Sequence, residues 1–301
     1  MVPGMALVVI GVIATLLLLL TTPSEAFAWG PVTHLVHGAT VLSQINNLPV
    51  ALQEILRSQT EAYLYGCVGA DIINAKKFTR DLRYHCHSWR VGWRVLSTAR
   101  TDTERAFGYG YLTHLAADTF SHNYYIPLQL IQTFSASALR HVYWEARFDA
   151  MQSSESWDRL RTVLSGLYVE CEDHMERVVD RTIFSFKTNK RIFNSVMALQ
   201  RAKQWRRVMT GVGRRSRYPL LPDEVSRYDA LCSSAALDVL THGKRAHCVT
   251  RDPTGQVNLK RAQQIRRRLR TLDRRRKLTP EMQETILGRI VPELKEAVGG
   301  E

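Results

Sequence analysis

The chain has 301 residues, 45% of them hydrophobic, and a formal net charge of +13. That is enough for one large core, or a core with a small appendage. Beyond the first thirty residues no stretch is apolar enough to span a membrane and none is low in complexity, and there is no internal repeat, so solenoid, disordered and polytopic membrane classes are excluded. The charge is unevenly spread: residues 1–150 sum to +1 and hold seven of the ten histidines, whereas residues 151–301 sum to +12. The first half is equipped for metal chemistry, and the second suits an anionic partner.

Ala6 to Leu20 is an apolar run of signal-peptide length, short for a spanning helix. Ala26-Phe27-Ala28 comes next, the small-x-small pattern behind which signal peptidases cut. Residues 1–28 are therefore expected to be a signal peptide, with the mature chain starting at Trp29 and the protein secreted or periplasmic. The first Lys or Arg is Arg57, so the only charge near the start is the α-amine, and an uncleaved membrane anchor is the minority reading. Export permits disulfides, and Cys232 with Cys248 is the expected pair by position among the five cysteines.

The expected elements are all helical. No sustained period-2 alternation is present, and no proline lies between Pro127 and Pro219. Thr101-x-x-Glu104 is a capping box that opens a helix running to about Tyr125, with Pro127 as its stop. Near residue 141 a further helix is expected, and Thr279-Pro280 is an N-cap followed by proline at the first helical position. Loops are expected at 46–49, 72–82, 211–222 and 249–257.

Candidate chemistry lies in the first half. His114, Asp118 and His122 are each four residues apart, so on a helix they form one stripe, roughly 12 Å long at 1.5 Å rise per residue. His141 and Glu145 repeat the i, i+4 spacing. A lone pair of this kind is usually a surface contact. This stripe differs because Leu115, Ala116 and Ala117 beside it mark a buried helix, and three ionisable groups in a core with no Lys or Arg nearby in sequence need a counter-charge. A cation supplies one, and imidazole with carboxylate suits zinc. His34 lies five residues after Trp29, Asp71 comes directly after Gly66-Cys-Val-Gly-Ala, and His85-Cys86-His87 begins fourteen residues later. His37 reads as a helix-surface or supporting residue, and His174, His242 and His247 show no partner pattern.

The order Trp29, His34, Asp71, His85 or His87, His114, Asp118, His122, His141, Glu145 resembles the zinc-dependent phospholipase C family, which shares its fold with the single-strand-specific fungal nucleases. Thr33-His34 to Leu42, Gly66 to Asp71 and His114 to His122 are most similar to the catalytic domain of glycosylphosphatidylinositol phospholipase D. The resemblance covers about residues 29–150. It implies an all-α, multi-helix bundle with a trinuclear zinc site between helices. One zinc would take the amine and carbonyl of Trp29, with His34 and a bridging Asp118. A second would take Asp71, His85 (or His87 in its place), His114 and Asp118, and the third His122, His141 and Glu145. Asp71 would be the general base for the water that attacks phosphorus. The gap of four between Asp118 and His122 matches the glycosylphosphatidylinositol-cleaving branch, whereas that branch does not typically begin at tryptophan.

The implied activity is phospholipase C-like hydrolysis of a phospholipid. A nuclease of the same fold is the alternative, and a non-catalytic zinc-binding envelope protein is the alternative of another class. Tyr124, Tyr125, Tyr143 and Trp144 could line a choline cage or a base-stacking shelf, or belong to the core. The expected division is a catalytic region at 29–185, with a core that extends further, and a basic helical region at 186–301. In the latter, Arg261 to Lys277 carries Ile265, Leu269 and Leu272 at helical spacing, which suits an anionic membrane surface, a nucleic acid backbone or a solvated helix. No specific protein partner is implied.

Overall fold

The computed structural model describes residues 29–72, 85–136, 141–179, 186–200, 207, 209–211, 213 and 215–299, of which 186, 195–200 and 291–299 are described in backbone only. Residues 1–28, where the signal peptide is expected, lie outside them, as do 73–84. Among the described residues there are helices and no strands, which is the expected all-α class. In chain order the α-helices are α1 (Pro31–Ser43), α2 (Val50–Ser58), α3 (Thr60–Gly69), α4 (Trp89–Ser97), α5 (Asp102–Phe120), α6 (Ile126–Gln132), α7 (His141–Met151), α8 (Ser154–Ser165), α9 (Val169–Val178), α10 (Phe186–Gln200), α11 (Pro222–His242), α12 (Gln256–Arg274) and α13 (Pro280–Gly299). None of these helices is long and apolar enough to cross a membrane.

Helix α5 is the axis of the molecule. Its start is the expected one: Thr101 Oγ1 accepts the N–H of Glu104 at 3.2 Å, a cap of about 1 kcal/mol. The reciprocal half of the box is displaced, since Glu104 reaches back to the N–H of Arg100 at 2.6 Å. Between Ala106 and Thr119 nearly every side chain is buried, so α5 has neighbours all round. Helix α3 approaches it most closely. A methyl group on Gly110 would fall 2.0 Å from the Tyr63 carbonyl, and one on Gly66 would fall 2.1 Å from the Phe107 carbonyl, so only glycine permits this separation.

The end of α5 differs from expectation. Ser121–Tyr125 is a π-helical turn, after which the chain continues into α6. Pro127 does not act as a stop, because it sits in the first turn of α6, where a missing N–H leaves no hydrogen bond unmade. A π turn inserts one residue into the helical repeat and rotates every later side chain about the axis, and it does so at His122.

Two apolar clusters flank the axis. One gathers α1 to α4, the first part of α5, α8, α9 and the C-terminal half of α11; the other gathers Trp29, Tyr124 to Phe134, Trp144, Phe148 and residues of α11 and α12. Helices of the basic half thus pack into the same core as the histidine-rich half. In α12, Leu269 is buried and Ile265 packs against this core, so its apolar face is turned inward and its exposed arginines outward. The Thr279 cap is present, its hydroxyl accepting the N–H of Met282 at 3.2 Å. Tyr124, Tyr125 and Trp144 are core residues. The expected Cys232–Cys248 disulfide is absent and all five cysteines are buried thiols. Cys232 belongs to one cluster, near the Ala117 carbonyl, and Cys248 to the other, near the Ala235 carbonyl.

Candidate metal centre

Four elements bring the predicted ligands together. The N-terminal turn of α1 carries His34, the short 3-10 turn Ala70–Ile72 after α3 carries Asp71, the turn before α4 carries His87, and α5 carries His114 and Asp118. All five are buried, His34, Asp71, His114 and Asp118 completely. His87 Nε2 lies 3.3 Å from Asp71 Oδ1 and 3.3 Å from Asp118 Oδ2; His114 Nε2 lies 3.0 Å from His87 Nε2, 3.3 Å from Asp118 Oδ2 and 4.0 Å from Asp71 Oδ1. A tetrahedral zinc with ligand bonds of about 2.0–2.1 Å holds its donor atoms about 3.3 Å apart. The donors of His87, His114 and Asp118 are therefore already spaced as three corners of such a site, and Asp71 Oδ1 reaches it beside His87.

Between the two candidates left open by the sequence, His87 is the residue whose Nε2 faces Asp71, His114 and Asp118. His85 Nδ1 accepts the backbone N–H of His87 at 3.1 Å, which helps to orient the turn. The other oxygen of Asp118 faces a different partner: Oδ1 is 3.2 Å from His34 Nε2. One carboxylate therefore faces His34 with one oxygen and His87 and His114 with the other, and the His34 ring stacks on that of His114 with centroids 3.7 Å apart.

The fit of a cation can be judged from atoms that protein groups leave unsatisfied. Both ring nitrogens of His34 and both oxygens of Asp118 are buried without a hydrogen bond of acceptable geometry. A buried carboxylate stripped of compensation costs several kcal/mol, more than a helix cap contributes. Burial raises the Asp118 carboxyl, but His114 and His34 beside it prevail and hold it well below the usual range. Burial likewise opposes charge on His114, and Asp118 and Asp71 outweigh it, so its pKa is raised. His34 is pushed down to about 4 by burial and by the like charge of His114, against the pull of Asp118. These groups share too few protons to satisfy all their lone pairs, and a divalent ion would satisfy them together.

The outer contacts agree with metal ligation. The Nδ1–H of His114 donates to the Cys67 carbonyl at 2.8 Å, which turns Nε2 inward, and the Nδ1–H of His122 donates to the Pro253 carbonyl at 2.6 Å. A backbone acceptor on one ring nitrogen fixes the tautomer that presents the other to a metal. His122 continues the His114–Asp118 stripe by count and joins the separate set that the resemblance implies for it. The π turn carries it to His141 and Glu145, with ring centroids of His122 and His141 5.2 Å apart and His141 Nε2 2.7 Å from Glu145 Oε1. The donor atoms of His122, His141 and Glu145 all lie within 4.8 Å of one another.

Trp29 is anchored beside this centre. Its indole is fully buried against Phe148 and Tyr125 and donates to the carbonyl of Ala117, the residue before Asp118, at 3.1 Å. The chain matches the zinc-dependent phospholipase C family over residues 33–203, a stretch that contains every proposed ligand except Trp29. The chain belongs to that family. It is accordingly a zinc-dependent phosphodiester hydrolase, and the helical fold agrees with the assignment. No curated protein and no solved structure matches the chain.

Several supporting residues carry no motif that singles them out in the sequence. Asp149 is buried and accepts the N–H and the hydroxyl of Thr33 at 3.0 and 2.6 Å, so it caps α1 from a distance, and its carboxylate also fills the space over Gly30. A faint signal for it exists, because His141, Glu145 and Asp149 continue one i, i+4 stripe. Asp229 holds His37 Nε2 at 2.9 Å, and His37 is a buried support with its ring edge-on to Trp29 and His34. His174 makes a tertiary contact rather than joining a metal set, its Nε2–H donating to the Val95 carbonyl at 2.8 Å. Gly255 has φ +54, and a methyl group there would lie 2.4 Å from His122, so the loop that seats this histidine needs glycine for two reasons.

Proposed function

We propose that the protein is an exported phospholipase C-like enzyme that hydrolyses the phosphodiester bond of a phospholipid. Asp118 carries the reading: its Oδ1 faces His34 and its Oδ2 faces His87 and His114, a bridging geometry suited to two adjacent cations. Asp71, His87, His114 and Asp118 would hold one zinc, His34 and Asp118 with the Trp29 terminus a second, and His122, His141 and Glu145 a third. Zinc bound there lowers the pKa of water and neutralises phosphate oxygens. The chain's own part is to orient. Asp118 fixes the two histidine sets relative to each other, and Asp71, with Oδ1 turned to His87, is the carboxylate positioned to receive the proton of the attacking water.

Export through residues 1–28 supports the same reading, since cleavage after Ala28 creates the Trp29 amine. The basic half supports an anionic membrane surface as the setting, because α12 directs Lys260, Arg267, Arg268 and Arg274 outward. The deciding experiment assays phosphatidylcholine, phosphatidylinositol and single-stranded DNA side by side with the zinc-loaded protein. Phospholipid turnover exceeding DNA turnover is expected. The reverse would favour a nuclease of the same fold, and turnover of none would favour a non-catalytic zinc-binding envelope protein.

A further inference from the structure

A second feature lies on the outer face of α4, the helix that leaves the metal centre at His87. A cleft of about 490 Å³ runs between this helix and the 3-10 turn Gly243–Arg245, lined by Arg90, Trp93, Arg94, Leu96, Ser97 and Lys244. No acidic side chain is among the described residues that line it. Trp93 is half-buried, with the Lys244 ammonium 6.0 Å from its ring centroid and the Trp89 ring 6.2 Å away, nearly parallel. Arg94 and Lys244 are exposed.

This is an unusual use of tryptophan for a solvated helix. The opposite face of α4 is apolar in the ordinary way, with Val91 and Val95 buried in the core. Trp89 and Trp93, four residues apart, leave that core face and sit at its margin beside the cations. An indole with one wet and one apolar side is favoured where water meets lipid headgroups, and arginine and lysine around it match the phosphate level of such a surface. The element is also tied to the metal centre twice at its N-terminal end. It starts two residues after His87, and Trp89 Nε1 donates to the Arg251 carbonyl at 2.8 Å, in the loop whose Pro253 carbonyl holds His122.

We propose that this cleft seats the headgroup of an anionic phospholipid at a bilayer surface, with the phosphate between Arg94 and Lys244 and the Trp93 ring at the interface. The site is distinct from the metal centre and binds lipid without cleaving it. It rests on the phospholipase reading and adds to it a specific headgroup seat besides the outward cations of α12, and its test does not depend on turnover.

The test is co-sedimentation of the zinc-loaded protein with phosphatidylcholine vesicles with and without phosphatidylserine, with released phosphorus measured in the same tubes. Arg94→Gln with Lys244→Gln should weaken binding to the phosphatidylserine vesicles by roughly fivefold per cation and leave binding to neutral vesicles unchanged. Both residues are exposed, so the fold should be retained. Removing two remote cations, Arg57→Gln with Arg161→Gln, should weaken it less than twofold. Phe in place of Trp93 should reduce quenching of protein fluorescence by bilayer lipids brominated near the headgroup. Equal losses in the two double variants would mean that the surface reads total charge, and would overturn the proposal. So would undiminished quenching in Trp93→Phe, or a loss confined to single-stranded DNA binding. Binding without phosphorus release would leave this proposal standing while counting against the phospholipase reading, and release without binding would do the opposite.

Discussion

The Nδ1 of His122 and the carbonyl of Pro253, 131 residues apart in sequence, meet at 2.6 Å. This bond joins the π turn of the histidine-rich half to a loop of the basic half, so the third set of metal donors depends on a segment that contributes no ligand.

Gly255→Ala should therefore act at a distance. The methyl group would collide with His122 while forcing a side chain into left-handed backbone, which alone costs about 1–2 kcal/mol. The expected result is a melting temperature several degrees lower and one zinc fewer by elemental analysis. Gly243→Ala, at φ +61 with open space around it, should lower stability and leave the zinc count unchanged.

Asp118→Asn should remove more metal than loss of any histidine. Its two oxygens face separate histidine sets, so the zinc count is expected to fall by two, whereas His141→Ala should lose only one. Activity should drop by roughly a hundredfold or more in both. Equal losses of one zinc would mean that Asp118 does not bridge.

Asp149 gives a pH dependence. Burial raises its carboxyl to about 7 from an ordinary value near 3.8, against the bonds from Thr33 that lower it. A raised carboxyl holds its proton more tightly in the folded state, so its contribution is present at low pH and is lost as pH rises from about 4 through 7. Asp149→Asn keeps an acceptor for Thr33 and does not ionise. Chemical denaturation should find it more stable than the wild type at pH 8, with the advantage vanishing near pH 4. Asp149→Ala removes the cap and should cost about 1–2 kcal/mol near pH 4, with the cost shrinking or reversing by pH 8, where the buried wild-type carboxyl is ionised.

The terminus supplies the last prediction. An α-amine can ligate zinc, and an amide nitrogen cannot, because its lone pair is delocalised into the peptide bond. A protein released to start at Trp29 should carry one more zinc and far more activity than one that starts at Ala28, with His122, His141 and Glu145 loaded in both. Trp29→Phe should be mild for metal binding and costly for stability, since the indole loses its bond to Ala117. Equal zinc and equal rate from the two termini would remove Trp29 from the ligand set.

The helical class, the Thr101 and Thr279 caps, and the pairs His114–Asp118 and His141–Glu145 were legible in the sequence because each is a relation between residues within one or two turns of a helix. Local periodicity determines these before any packing occurs. Spacing alone does not separate His122 from the 114–118 stripe; the family resemblance puts it with His141 and Glu145, and the structure brings those three together. Choosing His87 over His85, separating Cys232 from Cys248, and delivering Asp149 to Thr33 and Pro253 to His122 all depended on contacts between distant segments. Such contacts are decided by how α3, α5 and α11 pack, where shape and burial act across the whole chain and no short stretch holds the information.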